Sequence, residues 1–329
     1  MNDSRNLALR RIGGCWLAFV FSVASQSPGL FADDPKQANP EDPDIVVQGE
    51  YEGQLAEGVL KDKVGLQVIA LGKSQFRTVG YIGGLPGIGR DASDILQWKG
   101  STSNGVTAFE GSGYRAHVDG DSIVVDAGAV GKLKKVHRRS PTLDAKPPRG
   151  AITLFDGTNV DSFENGRMTS DHLLMTGTTT RTTFQNGTLH VEFQIPFAPL
   201  VASRGNSGVY LQSRYEVQIL DSMGFAPHNH ECGGIPSVKA AGINMSFPPL
   251  AWQTYDIDFS AAQFRAGKKE VNAHMSVRHN GVVIHDNVEI PNATTSAPLA
   301  EGAEPGPITF QEHGAEVRFR NIWYLPRES

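Results

Sequence analysis

The stretch Arg204–Leu220, RGNSGVYLQSRYEVQIL, contains two short runs of the kind that form β-strands. The runs Gly208–Ser213 and Tyr215–Leu220 are bounded by polar residues and are rich in β-branched and aromatic side chains. In the second run, apolar residues alternate with Glu216 and Gln218, and alternate residues of a strand point to opposite faces. The pattern predicts a strand that packs one face into a core and presents a carboxylate beside an amide on the other.

Short strand-forming runs continue through the rest of the C-terminal half. Further strand candidates are Ile152–Phe155, His172–Thr176, Thr188–Pro196, Gln253–Phe259, Asn272–His279, Val282–Glu289, Ile308–Glu312 and Val317–Tyr324. Asn280-Gly281 separates two of these runs and is a strong signal for a two-residue β-hairpin. About ten short strands with almost no amphipathic helix are typical of a sandwich or jelly roll.

The region from Ile45 to Ser140 is predicted to be a smaller β-rich domain. Its strand candidates are Gly65–Leu71, Phe76–Ile82, Val106–Glu110 and Ser122–Asp126. The Gly- and Pro-rich segment Gly83–Gly89 lacks the Lys-Ser/Thr of a phosphate-binding loop, so we expect a structural turn. We predict a short helix over Asp91–Trp98. The Pro-rich segment 141–149 is the predicted linker to a domain at 150–329.

The N-terminus has the features of an export signal. Basic residues precede an apolar, uncharged run from Ile12 to Ala24 that is too short to span a bilayer. We expect residues 1–32 to be a signal peptide, 33–44 to be disordered, and the mature chain to be periplasmic or extracellular without a transmembrane segment. Signal removal takes away Cys15 and leaves Cys232, so the mature chain cannot form an internal disulfide. The formal net charge of −5 gives no electrostatic reason to bind nucleic acid.

Several motifs of the C-terminal half occur in the order found in one family. They are Leu154–Asn159 (LFDGTN), Arg204–Tyr210 (RGNSGVY), Tyr215–Ser222 (YEVQILDS), Asn280–Val282 (NGV), Gln311–Gly314 (QEHG) and Arg318–Trp323 (RFRNIW). This ordered set resembles the 3-keto-disaccharide hydrolase family, over roughly residues 150–326. The N-terminal domain and the segment Asn244–Asp258 are similar to planctomycete-type exported members. The resemblance implies an all-β fold: a concanavalin A-like jelly roll preceded by a smaller β-rich domain.

The resemblance also implies a reaction on an oligosaccharide or glycoside oxidised at C3. The ketone acidifies the C2 proton, a base removes that proton, and the aglycone leaves from C1; water then adds, giving net hydrolysis. Such chemistry needs a general base, stabilisation of an enolate oxygen and an acid near the leaving group. A divalent metal ion is one way to hold the enolate.

Glu216 is the candidate base or metal ligand, and the other candidates take their roles around it. Asp221 and His313 are candidate catalytic residues, although Asp221 also suits a turn and a lone His at a strand end often has a structural role. Candidate substrate-binding residues are Arg204, Asn206, Tyr210, Gln218, Gln311 and Arg320. Arg318 or Arg320 is expected to pair with Glu216 or to bind substrate.

Three alternatives remain open from the sequence. The segment His228–Cys232 (HNHEC) is dense in metal-ligating residue types, but its spacing does not fit a zinc finger and a solvated turn is favoured. A carbohydrate-binding module of the same fold would bind without chemistry. An ordinary glycoside hydrolase would need two facing carboxylates, for which Glu192 and Asp258 are the available partners of Glu216.

Overall fold

The N-terminal part of the chain is a closed eight-stranded barrel. The computed structural model describes residues 42–56, 63–88 and 95–327, so the predicted signal peptide and residues 33–41 lie outside the described part. A short helix, α1 (Asp44–Val47), precedes the barrel. The barrel strands pair in chain order, and β1 closes on β8. They are β1 (Gly49–Leu55), β2 (Lys63–Gly72), β3 (Gln75–Ile82), β4 (Ile95–Ser103), β5 (Val106–Gly111), β6 (Tyr114–Asp119), β7 (Ser122–Ala127) and β8 (Gly131–Val136).

The C-terminal part is a sandwich of two main sheets. Its strands are β9 (Ile152–Phe155), β10 (Phe163–Glu164), β11 (Leu174–Met175), β12 (Thr178–Thr180), β13 (Gly187–Gln194), β14 (Ser207–Leu211), β15 (Tyr215–Ile219), β16 (Trp252–Ser260), β17 (Gln263–Arg265), β18 (Lys268–Val271), β19 (Ala273–His279), β20 (Val282–Ile290), β21 (Thr309–Phe310) and β22 (Arg318–Pro326). The five-stranded sheet has the order β10-β12-β21-β14-β15. The seven-stranded sheet has the order β11-β22-β13-β16-β19-β20, with β9 also on β22, and β17 pairs with β18 apart from both.

Side-chain alternation explains where the sandwich core lies. Tyr215, Val217 and Ile219 of β15 belong to the core between the sheets, as do Leu189, Val191 and Phe193 of β13. Their alternate neighbours therefore point out of the sandwich. The predicted hairpin is confirmed, because Asn280 and Gly281 join β19 to β20 and both have positive φ, 50° and 80°. The all-β prediction is confirmed as well.

Two local predictions in the N-terminal part were wrong. The predicted helix over Asp91–Trp98 is not observed where the chain is described, because Ile95 onward forms β4 and pairs with β3. Pairing with a neighbouring strand overrides the local helical pattern there. Disorder was predicted to extend through Asp44, but Asp44 begins α1, and its carboxylate accepts a hydrogen bond from the backbone N–H of Ser74.

The predicted linker packs onto the outer face of the seven-stranded sheet. Thr142 Oγ1 donates to Asp256 Oδ2 at 2.7 Å, and the carbonyl of Ala145 accepts from Asn321 and Trp323. Barrel and sandwich lie in one compact unit. The domain boundaries themselves stay predictions. No helix in the described ranges has both the length and the apolar character needed to cross a membrane.

Candidate active site

Glu216 lies on the outer face of the five-stranded sheet and is almost fully buried there, with 3% of the residue exposed. Its carboxylate lies over Gly208, the residue of β14 that pairs with Gln218. A β-carbon at position 208 would collide with Oε1 of Glu216. Glycine at this position therefore gives the carboxylate room to lie flat against the sheet.

A chain of hydrogen bonds holds the carboxylate from one side. The hydroxyl of Tyr210, opposite Glu216 in the register, is close enough to lower the pKa of the carboxyl group, and it lies 3.5 Å from the carbonyl oxygen of Thr295. Gln311 Nε2 donates to the Tyr210 oxygen at 3.1 Å, and Gln311 is itself fixed by its backbone bond to Gly208 and by Ser207 Oγ. Three of the predicted site residues, Glu216, Tyr210 and Gln311, are thus brought together.

Burial gives Glu216 an unusual protonation equilibrium. Removal from water raises the pKa of the carboxyl group to about 7, and the hydrogen bond from Tyr210 opposes part of that rise. Glu216 forms no ion pair with any residue that the structure describes. A carboxyl group with a pKa near neutrality can accept and return a proton at physiological pH.

Tyr210 orients the carboxylate and stays protonated. Its own burial and the neighbouring Glu216 raise the pKa of its hydroxyl well above the usual value. The hydroxyl therefore remains a donor over the pH range in which Glu216 titrates.

Two side-chain amides of the predicted site have buried oxygens without a partner. Within the described residues, neither Gln218 Oε1 nor Asn206 Oδ1 has a hydrogen-bond partner, although both atoms are buried. Gln218 shares the outer face with Glu216 by strand alternation, whereas Asn206 lies in the turn that precedes β14. A buried polar atom is stabilised by a hydrogen-bond partner, so these two oxygens can each accept a hydrogen bond from a bound molecule.

Two loops lie along the free edge of β15, and the second reaches over the outer face, where the Thr295 carbonyl is 3.5 Å from the Tyr210 hydroxyl. Residues 233–234 form backbone hydrogen bonds with Gln218, and Thr294 Oγ1 accepts the backbone N–H of Glu216 at 3.0 Å. The hydroxyls of Ser237 and Thr295 form a hydrogen bond that joins the two loops. We call residues 233–239 and 291–300 the roof.

Arg204 and Asp221 lie in a separate charged cluster, where the sandwich meets the barrel. Arg204 forms an ion pair with Glu231 at 2.9 Å, and Arg77 of the barrel donates to the carbonyl of Gly224 at 3.1 Å. Burial raises the pKa of Asp221 to about 6, which the backbone N–H of Met223 and the nearby arginines oppose. These contacts fix the chain that follows β15.

The remaining two predicted residues, His313 and Arg320, form no contact with Glu216. His313 is exposed and has no hydrogen bond or ion pair to a residue that the structure describes. The expectation that Arg318 or Arg320 pairs with Glu216 was wrong. Strand β22 belongs to the seven-stranded sheet, where Arg320 Nε pairs with Glu192 at 2.8 Å and Arg318 pairs with Glu316.

The outer face of the seven-stranded sheet carries a second polar cluster. His190 Nδ1 lies 2.6 Å from Asp256 Oδ1, directly across the strand pair, and its Nε2 lies 3.6 Å from Glu192 Oε1. Sequence reasoning did not single out His190. His190 and Glu192 are two residues apart on β13, so strand alternation predicts that they share a face. No local sequence pattern indicates that the linker covers both side chains.

Among the described residues, no group of three or more His, Cys, Asp and Glu side chains is placed to hold a metal ion. In the HNHEC segment, Glu231 is engaged by Arg204 and Ser222, while Cys232 is buried against the Tyr255 hydroxyl. The suggested divalent metal therefore gains no support here.

Comparison with known proteins identifies the family of the region that contains Glu216. The profile of the 3-keto-alpha-glucoside-1,2-lyase-like domain matches residues 150–324, more than half of the chain. The chain belongs to this lyase-like family. Its fold and family indicate a carbohydrate-active enzyme, and strands β9 to β22 of the lyase-like domain hold the whole Glu216 site.

Solved structures similar to the lyase-like domain come from Parabacteroides distasonis and are described as proposed glycosyl hydrolases. One is 29% identical, with a TM-score of 0.51, over 55% of this chain and 85% of that chain. Two others are 15% and 21% identical, with TM-scores of 0.41 and 0.39, over 54% of this chain and 95% and 99% of theirs. A comparison with curated proteins finds no match.

Proposed function

We propose that this chain is an exported enzyme that cleaves 3-keto-glycosides by elimination, with Glu216 as the general base. The observation that carries the proposal is the environment of Glu216: a buried carboxyl group without an ion-pair partner among the described residues, with its pKa raised to about 7. Family membership supplies the reaction class.

In the first step Glu216 takes the proton from C2 of the keto sugar. The electron pair of the C2–H bond forms an enolate with the C3 ketone. As the ketone re-forms, the C1–O bond breaks to leave a C1–C2 double bond, and the aglycone oxygen takes up the proton that Glu216 removed from C2. Water then adds across the double bond, with its hydroxyl on C1 and its proton on C2. The net change is hydrolysis, without an external oxidant or reductant.

The unsatisfied amides have a part in this scheme. The Gln218 and Asn206 side chains can accept from sugar hydroxyls through oxygen and donate to the ketone through nitrogen. Donors fixed in place before the enolate forms stabilise its charge more than water does.

The two alternative functions fit Glu216 less well. Glu192 and Asp258, the available second carboxylates for an ordinary glycoside hydrolase, belong to β13 and β16 of the seven-stranded sheet, and Glu192 is already paired with Arg320. A binding module does not require a titratable carboxyl group held near neutral pKa.

The test compares aglycone release from a 3-keto-glucoside with release from its unoxidised parent. We expect release from the keto form alone, and Glu216→Gln should lower kcat by about 10²- to 10⁴-fold, the usual contribution of general acid–base catalysis. Glu110→Gln removes an exposed carboxylate of barrel strand β5, away from the proposed site, and is the control that should retain activity. Release from the unoxidised glucoside, or full activity of Glu216→Gln, would refute the proposal.

A further inference from the structure

A row of polar side chains crosses the entire outer face of the five-stranded sheet. Successive cross-strand pairs run from Glu164 to Thr179, from Thr179 to Thr309, from Thr309 to Tyr210, and from Tyr210 to Glu216. Each residue is directly opposite the next in the register. We call these five residues the polar lane.

The side chains of the polar lane share one face. Their chain neighbours Phe163 and Phe310 point inward to the sandwich core. Thr179 and Thr309 hydroxyls are 3.0 Å apart, which places both side chains on the outer side with Tyr210. The lane is therefore continuous across the sheet: Glu164, Thr179 and Thr309 are accessible, and the lane ends at the buried pair of Tyr210 and Glu216.

Exposure falls along the lane. Glu164 is exposed, Thr179 and Thr309 are half-buried, and Tyr210 and Glu216 are 1% and 3% exposed beneath the roof. Neighbouring strands are about 4.8 Å apart, so the four steps from β15 to β10 span about 19 Å, enough for several sugar units. On the other side of β15, the backbone of residues 233–234 is already bonded to Gln218. The surface leads to Glu216 from one side.

The chemistry of the lane suits a neutral hydroxylated chain. Threonine hydroxyls both donate and accept, the Glu164 carboxylate accepts, and no lysine or arginine belongs to the lane. We infer that the polar lane binds the sugar chain of the aglycone, so that Glu216 acts on the terminal 3-keto sugar of an oligosaccharide. This inference rests on the proposed function for the role of Glu216.

The test measures binding without turnover. Isothermal titration calorimetry with unoxidised glucose oligomers of one to four units, in both the α-1,4 and β-1,4 series, reports the occupied length directly. In one series we expect affinity to rise about tenfold or more from one unit to three. Thr179→Val with Thr309→Val should remove that gain and leave single-unit binding within about twofold.

Two further variants show whether an effect is specific to the polar lane. Thr188→Val changes a hydroxyl on the outer face of the seven-stranded sheet and should bind all lengths as wild type does. Glu164→Ala alters an exposed side chain, cannot disturb the core, and should weaken only the longest oligomer. Affinity independent of length in both series, or threonine variants that bind like wild type, would overturn the inference. Because no turnover is needed, failure of the elimination chemistry would leave this result intact.

Discussion

Two buried glutamates, Glu216 and Glu192, lie on opposite outer faces of one sandwich and have opposite chemistry. Burial raises the pKa of Glu216 to about 7, and among the described residues the Tyr210 hydroxyl is the group that opposes this rise. Burial would also raise the pKa of Glu192, but hydrogen bonds from His190, Asn321, the Asp144 backbone and Arg320 lower it to about 2. The difference lies in the partners, since both carboxylates are almost completely shielded from water.

The two glutamates differ in role: Glu192 carries a structural charge, and Glu216 is the proposed reactive group. Glu192 has every partner that an anion requires, and those partners fix the linker to β13 and β22. Glu216 has no ion-pair partner among the described residues, and the Gln218 side-chain oxygen on the same strand face lacks a hydrogen-bond partner there as well. A carboxyl group in such surroundings stays neutral at a higher pH than usual, which suits a group that exchanges a proton.

Replacing each glutamate by glutamine gives the largest expected contrast. Glu192→Gln removes one anion from Arg320 and His190, which keep Asp144 and Asp256, and should lower the free energy of unfolding by about 1–3 kcal/mol. Glu216→Gln should keep or increase stability at pH 8, because the neutral amide ends the cost of a buried charge, while activity is lost. Chemical denaturation of both variants measures this. A Glu216→Gln protein as destabilised as Glu192→Gln would contradict the comparison.

The next effect comes from the glycine under the carboxylate. Gly208→Ala places a methyl group where Glu216 Oε1 lies and should push the carboxylate toward water. We expect kcat to fall about tenfold to a hundredfold and the acidic limb of the pH–rate profile to move toward pH 4.5, since a solvated carboxyl regains an ordinary pKa. Gly302→Ala controls for loss of glycine itself, because Gly302 has no positive φ and an added β-carbon would meet only the Arg214 side chain at ordinary contact distance. An unmoved pH profile would show that Gly208 does not position the base.

The smallest effect is the pH dependence of stability from the second cluster. The lowered pKa of Glu192 adds stability that is present above about pH 4.5 and is lost as the pH falls toward 2. Burial lowers the pKa of His190, but its bonds to Asp256 and Glu192 outweigh burial and raise it. The His190 contribution is therefore full below pH 6.5 and is lost as the pH rises through the folded-state pKa.

Comparing wild type with His190→Gln isolates the histidine part of that dependence. Denaturation at pH 6 and pH 9 should show a larger stability deficit for the variant at pH 6. A deficit that grows with rising pH would mean that His190 is held neutral instead.

Local sequence patterns predicted part of this fold and not the rest. Runs such as Phe76–Ile82 and the Asn280-Gly281 turn were readable because β-branched residues and turn residues act locally. Strand β8 (GKLKKV) was missed because Leu133 is its only fully buried side chain, and its lysines resemble a solvated loop. The error at Asp91–Trp98 arose because pairing between β3 and β4 outweighs local propensity.

The candidate site was likewise predictable only in part from the sequence. Alternation along β15 correctly placed Glu216 and Gln218 on one face and their apolar neighbours in the core. Alternation does not say which sheet a strand joins, so Arg320 was expected beside the wrong glutamate. The roof could not be predicted from local sequence patterns either, because Thr294, which accepts a hydrogen bond from Glu216, is 78 residues away along the chain.

The most direct test is a titration of the two glutamates themselves. Carbon-13 NMR of the side-chain carboxyl groups, assigned with Glu216→Gln and Glu192→Gln, follows each group from pH 3 to pH 9. The account predicts that Glu216 titrates near pH 7 and that Glu192 stays ionised throughout. A Glu216 resonance that titrates near the ordinary value of about 4.5 would contradict the central claim that burial without an ion-pair partner makes this carboxyl the base.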